Sequence, residues 1–190
     1  MRRSLLLSAA AAASFLLAGA APAATVVPLA PFKSVGLSGG GRIVLRHGDV
    51  QRVTLLKGST DYTQFKVRGG SLDIEACNND CPHNYQIEIE IVSPAIDGVA
   101  IQGGGEIKAE GSFPSSGHLD AAVSGGGDID VRAIPAASVE AAVEGGGDIS
   151  TTATHMLNAA VSGGGDITYY GNPQVSQAVS GGGSVTHAAP

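Results

Sequence analysis

The sequence predicts an all-β fold, a parallel β-helix built as a solenoid of coils of ~18–22 residues, on three observations. The tripeptide Gly-Gly-Gly occurs six times, starting at Gly39, Gly103, Gly125, Gly145, Gly163 and Gly181. The last four copies share one frame: Ala122-Val123-Ser124 before the triplet and Asp128-Ile129 after it, then Ala142-Val143-Glu144 and Asp148-Ile149, then Ala160-Val161-Ser162 and Asp166-Ile167, then Ala178-Val179-Ser180 and Ser184-Val185. From Gly103 onward the triplets start 22, 20, 18 and 18 residues apart, and a period near 20 marks stacked repeats.

Three segments divide the chain. Residues 1–23 read as a signal peptide: basic Met1-Arg2-Arg3, an apolar run from Leu5 to Leu17, and Ala21-Pro22-Ala23 as a small-x-small cleavage site with the cut near Ala23. No Cys follows the apolar run, so a lipoprotein is not expected, and no later stretch of the mature chain is long and apolar enough for a span.

Residues 24–97 read as an amino-terminal β region, rich in antiparallel pairing. Arg42-Ile43-Val44-Leu45-Arg46, Arg52-Val53-Thr54-Leu55-Leu56, Phe65-Lys66-Val67-Arg68 and Ser71-Leu72-Asp73-Ile74-Glu75 alternate in period two. Gln86-Ile87-Glu88-Ile89-Glu90-Ile91 is the cleanest strand, closed by Pro94, which cannot donate to a ladder. Within this region Cys77 and Cys81 are the two cysteines, separated by turn-forming Asn78-Asn79-Asp80. In an exported chain two cysteines read as a disulfide closing a tight loop; the rival, half a metal site with His83, is one ligand short of a tetrahedron.

Residues 98–190 read as the β-helical repeat array, from about Gly98 to Thr186. Val123, Val143, Val161 and Val179 should stack, as should Leu119, Val139, Leu157 and Val175, and Ile129, Ile149, Ile167 and Val185. Their even offsets put them on one face of each strand, the inside, with Ala121, Ala141 and Ala159 between them. Successive coils would lie roughly 4.8 Å apart. The triplets Gly125-Gly126-Gly127, Gly145-Gly146-Gly147 and Gly163-Gly164-Gly165 are expected as structural corners, where a side chain would stack on its own copy. Gly146→Val is thus expected to clash with Gly126 and Gly164. A phosphate-cradling loop is rejected, because a strand follows each triplet and no Lys is present.

The order of these motifs resembles a known family. Phe32 and Val35, a strand ending in Arg46-His47-Gly48-Asp49, Gly69-Gly70-Ser71-Leu72-Asp73-Ile74, the Ile-rich strand ending in Pro94, and the repeated Val-Ser-Gly-Gly-Gly-Asp-Ile are similar to the putative auto-transporter adhesin, head GIN domain family. The resemblance runs from about Phe32 to Val185; the family's corner is Gly-Ser-Gly-Asp where this chain has Gly-Gly-Gly-Asp. It implies a bacterial, exported protein, a right-handed parallel β-helix, and no catalytic residues to carry over.

Composition limits the function. The chain of 190 residues has a net charge of −6, and loss of Arg2 and Arg3 with the signal takes it to −8. Such acidity argues against nucleic acid and anionic membranes as partners. Asp128, Asp148 and Asp166 should form a ladder, with Glu106 above and Ser184 ending it. Each carboxylate either accepts backbone N–H bonds at the corner or helps bind Ca²⁺, so calcium is the one cofactor considered and Asp128, Asp148 and Asp166 its only candidate ligands. Ser124, Ser162, Ser180, Glu144 and Gln102 should form an outward polar stripe. His47, His83, His118, His155 and His187 are scattered, and one of Tyr169 and Tyr170 should be exposed.

Two function classes follow. The first is an exported, non-catalytic, adhesin-like binding or structural module of the cell envelope, whose partner is an unknown envelope glycan or protein. The alternative is a carbohydrate-active β-helix enzyme, a polysaccharide lyase or hydrolase, which would need a carboxylate pair or a basic cluster. No nucleophile–base frame is present and the array holds only Lys108 and Arg132 as basic residues, so no enzyme is expected. The end, Val185 to Pro190, has no alternating, aromatic-girdled strands. The chain is therefore expected to stay in the periplasm or leave through separate machinery.

Overall fold

The computed structural model describes residues 24–189; the expected signal peptide and its cut near Ala23 lie outside the described residues. The described chain is all β. Before the repeats come β1 (Thr25–Val27), β2 (Ser34–Gly39), β3 (Arg42–His47), β4 (Arg52–Lys57), β5 (Gln64–Arg68), β6 (Ser71–Glu75) and β7 (Glu88–Ser93). The repeats contribute β8 (Gly98–Gly103), β9 (Glu106–Glu110), β10 (Ser116–Gly125), β11 (Asp128–Asp130), β12 (Ala136–Gly145), β13 (Asp148–Gly163), β14 (Asp166–Tyr170), β15 (Gln174–Gly181) and β16 (Ser184–His187).

The expected right-handed parallel β-helix with an antiparallel-rich amino-terminal region is overturned. The strands belong to one mixed sheet of 16, ordered β1-β4-β7-β3-β9-β11-β13-β12-β10-β8-β2-β6-β5, with β14 and β15 joining at β13 and β16 at β14. Parallel and antiparallel pairs are interleaved. β4 pairs antiparallel with both β1 and β7, and β5 with β6. Yet β2 pairs parallel with β6 and β8, and β3 with β7 and β9, so amino-terminal strands continue the sheet of the repeats. The physical reason is that a sequence period sets the register between its own copies only. Which edges the non-repeating strands extend is decided by open backbone N–H and C=O groups, which the period does not encode.

Within the repeats the register is as regular as the sequence. Val123 lies opposite Ile101 and Val143, Val143 opposite Val161, and Val161 opposite Val179. Leu119, Val139 and Leu157 form a second row and Ile107, Ile129, Ile149 and Ile167 a third. All of these except Val179 are buried and belong to one apolar cluster that reaches back to Phe32 and Ile43. Alternation with period two supplies the inward side chains, and almost no aromatic ring is needed.

The glycine triplets interlock through backbone. The Gly125 carbonyl accepts from Gly146 N–H (2.9 Å) and Gly147 N–H (3.1 Å), and the Gly145 carbonyl from Gly164 (2.8 Å) and Gly165 (3.1 Å). The early triplet joins the same row, Gly104 donating to the Gly39 carbonyl at 2.9 Å. The first glycine needs a left-handed backbone, with φ +124° at Gly145. The third needs space: a Cβ at Gly147 would meet the Gly127 carbonyl oxygen and lie 2.7 Å from Val123 Cγ1. The expected clash at Gly146 is not there, since a Cβ on Gly126, Gly146 or Gly164 would meet nothing within 4 Å. The middle glycine of each of these corners is exposed to solvent.

Cys77 and Cys81 form a disulfide with Cα atoms 6.1 Å apart, in the segment between β6 and β7.

Candidate functional site

The aspartate ladder is in register: Glu106, Asp128, Asp148 and, one repeat on, Asp166 opposite Ser184. Like charges stacked on neighbouring strands repel; the Glu106 end of the ladder meets a cation, and the other end is held by hydrogen bonds. Arg42 holds Glu106 through Nε at 2.9 Å and Nη2 at 2.7 Å; this contact raises the Arg42 pKa. Asp148 Oδ1 accepts from Asp166 N–H at 2.9 Å, and Asp166 Oδ1 accepts from Ser184 N–H and its hydroxyl, both at 2.8 Å. These bonds satisfy backbone donors just past each corner. Asp166→Ala should therefore cost about 1 kcal/mol while Asp166→Asn, which keeps an Oδ1 acceptor, should cost less; denaturant midpoints of the two variants check this. A melting temperature that rises with calcium, and no longer does so when Asp128, Asp148 and Asp166 are all Asn, would instead assign the ladder to the cation.

A more varied set of side chains lies further along the same strands, two residues past the ladder. Two outward rows run side by side there, Lys108–Asp130–Ser150–Thr168 and the row containing Thr152 and Tyr170. β11 stops at Asp130, and the chain turns through Val131 and Ile134, whose N–H donates to the Val131 carbonyl at 2.9 Å. This early stop leaves a cleft of about 1090 Å³ lined by Lys108, Glu110, Asp130, Arg132, Thr152, Tyr170, Asn172 and His187. Lys108 and Arg132, the two basic residues of the array, thus meet in one place.

Arg132 organises the cleft. Its Nε and Nη2 donate to Asp130 Oδ1 (2.8 Å) and Oδ2 (2.6 Å), a two-point grip, and its guanidinium carbon lies 5.4 Å from the centre of the Tyr170 ring. Nη1 reaches the Tyr170 hydroxyl at 3.3 Å, and Thr152 Oγ1 donates to the Arg132 carbonyl at 3.0 Å. The Arg132 side-chain hydrogen bond holds the Asp130 carboxyl below the usual carboxylate range, against burial, with Lys108 adding its charge in the same direction. Asp130 in turn raises the Arg132 pKa. Glu110 is gripped by Arg46 Nη2 at 2.7 Å, and His187 donates from Nε2 to the Gly171 carbonyl at 2.8 Å while stacking on Tyr169. Of the tyrosine pair, Tyr169 packs against the core cluster and Tyr170 lines the cleft.

The other expected groups fall as follows. Gln102, Ser124, Glu144, Ser162 and Ser180 form one exposed row. The histidines are not all isolated: the ligand atoms of His118, Asp120 and Glu140 lie within 4.8 Å of one another, His118 Nε2 being 2.7 Å from Asp120 Oδ1. Sequence reasoning passed over the Lys108–Asp130 pair, although both stand two residues after the ladder position and repeat alignment would have shown it. Nothing in the sequence brings Tyr170 to Arg132, because the loops between repeats differ in length.

A family model described as putative auto-transporter adhesin, head GIN domain, matches residues 31–117 and 114–173. No curated protein sequence matches the chain. Among solved structures, a putative adhesin from Bacteroides fragilis NCTC 9343 has a TM-score of 0.55 at 20% identity, over 87% of this chain and 96% of that one. Putative adhesins from Parabacteroides distasonis ATCC 8503 (TM-score 0.47, 16% identity, 87% and 96% covered) and Parabacteroides merdae ATCC 43184 (0.42, 14%, 87% and 95%) are also similar. Identity at this level speaks for the fold alone.

Proposed function

The chain belongs to the putative auto-transporter adhesin, head GIN domain family, and from that premise we propose that it is an exported, non-catalytic binding module of the cell envelope that takes a saccharide in the Arg132 cleft. The observation that carries this is the convergence of Lys108, Arg132 and Tyr170 with Asp130, Thr152 and Asn172 in one open cleft. A planar cation, an aromatic face and hydroxyl and amide groups are the means by which a sugar's ring face and hydroxyls are held. Both cleft carboxylates are engaged by arginines, Asp130 by Arg132 and Glu110 by Arg46. A glycosidase acid needs a raised pKa, and Asp130 is shifted the other way; this supports binding over hydrolysis. No helix of the described residues is long and apolar enough to cross a membrane. We read the export route as a signal peptide cut near Ala23, releasing the chain into the periplasm or to the cell surface.

Capture on an array of envelope glycans tests the proposal. Arg132→Ala and Tyr170→Ala should each weaken capture about tenfold or more, with far-UV spectra unchanged. Because the Asp130 pKa is depressed by folding, its ion pair is fully formed above the unfolded value of about 3.9 and is lost as pH falls through the lower folded value. Capture should therefore stay level from pH 7 to about 5. Binding that ignores both substitutions would move the site elsewhere, and turnover of any glycan would favour the enzyme reading.

A further inference from the structure

The sheet treats its edges unequally. Among the described strands β1, β5, β15 and β16 each hydrogen-bond to a single neighbour. β1 has three residues, and β5 carries Lys66 and Arg68; shortness and positive charge are common ways of keeping an edge from pairing further. β15 has neither. Its eight residues are all exposed, and from Gln174 to Thr186 the chain has no Asp, Glu, Lys or Arg. The ladder position that is acidic in the preceding repeats is Ser184 here.

The same strand leaves apolar surface uncovered. Val175 and Val179 are 39% and 44% exposed, while Leu157 and Val161, their partners one repeat earlier, are 0% and 2%. Between them the inward position held by Ala121, Ala141 and Ala159 becomes Gln177. Val175-Ser176-Gln177-Ala178-Val179 has the same pattern in both directions: valine, small, glutamine, small, valine. Laid antiparallel on a copy of itself about Gln177, the strand sets Val175 of each copy opposite Val179 of the other. The two Gln177 amides then face each other and can exchange hydrogen bonds.

We propose that β15 is a self-pairing edge, and that two copies of this chain join through it antiparallel about Gln177. Charge favours a second copy at this face. Residues 24–190 carry a net charge of −8, and copies repel one another except where they approach through a neutral surface. The shortness of β1 and of four-residue β16 and the charge of β5 stop further addition by strand pairing, so the contact closes as a two-fold dimer rather than a fibre.

Sedimentation equilibrium of the purified chain tests this, with Gln177→Lys and Gln177→Glu as variants. The unsubstituted chain should sediment as a dimer, each variant alone as a monomer with an unchanged far-UV spectrum, and an equimolar mixture of the two variants as a dimer again. A monomeric unsubstituted chain overturns the proposal. So does a dimer that survives Gln177→Lys, which would use another face, and so do two monomeric variants that fail to associate when mixed, because Gln177 would then not meet its own copy.

Discussion

Gly147→Ala is expected to lower stability by about 3 kcal/mol or more, against less than about 0.5 kcal/mol for Gly146→Ala. The two substitutions add the same atom at adjacent positions. At Gly146 it enters open space; at Gly147 it meets the Gly127 carbonyl oxygen, with Val123 Cγ1 at 2.7 Å and Gly127 N at 3.0 Å. Side-chain overpacking is partly relieved by rotamer changes, but the main obstacle here is backbone. Moving the Gly127 carbonyl away breaks the bond it accepts from Asp148 N–H (3.2 Å) and disturbs the neighbouring Gly125 carbonyl, which holds Gly146 and Gly147. Urea midpoints of the two variants decide the matter. Equal midpoints would show that the interlocked corners do not limit stability.

Leu157→Ala should cost about 2–5 kcal/mol, while Met156→Ala, one residue away, should change stability by no more than about 0.5 kcal/mol. Leu157 is fully buried in row with Val139 and Val175, whereas Met156 is 46% exposed on the opposite face of the same strand. Neighbouring repeats hold the backbone in register, so the sheet cannot collapse far into the cavity left by Leu157, and the cost should fall in the upper part of the range. Thermal melts of both variants check it. A Leu157→Ala variant as stable as the parent would mean that the last repeats are frayed and contribute little to the cooperative unit.

The cleft and the edge differ in how far they can be read from residues alone. Asp130 and Lys108 occupy the same place in the repeat frame, so their pairing is implicit in the alignment of Glu106-Ile107-Lys108 with Asp128-Ile129-Asp130. The meeting of Arg132 with Tyr170 depends on where β11 stops and how the Val131–Ile134 turn aims the next side chain. The edge is legible in part. The absence of charge from Gln174 to Thr186 is plain in the sequence, but that β15 lacks a second partner is a matter of sheet order.

By itself the sequence determined most of the strands from β3 onward, which way they face and how one repeat registers on the next, while β1 and β2 were not read as strands and β7 begins at Glu88 rather than Gln86. Period-two alternation and a repeated frame are local properties, and identical neighbours pair best when aligned: Val143 could sit opposite Val123 and Val161 with little competition. Sequence also carried the pairing of Cys77 with Cys81, since four residues separate them and no third cysteine competes. Tertiary structure alone decided that the non-repeating strands extend the same sheet, with β4 antiparallel between β1 and β7 and β2 parallel between β6 and β8. It also decided that crowding at the triplets falls on the first and third glycines, not the middle one. Both outcomes turn on where backbone groups of distant segments come to lie, and a hydrogen bond between segments far apart in the chain leaves no periodic trace in either of them.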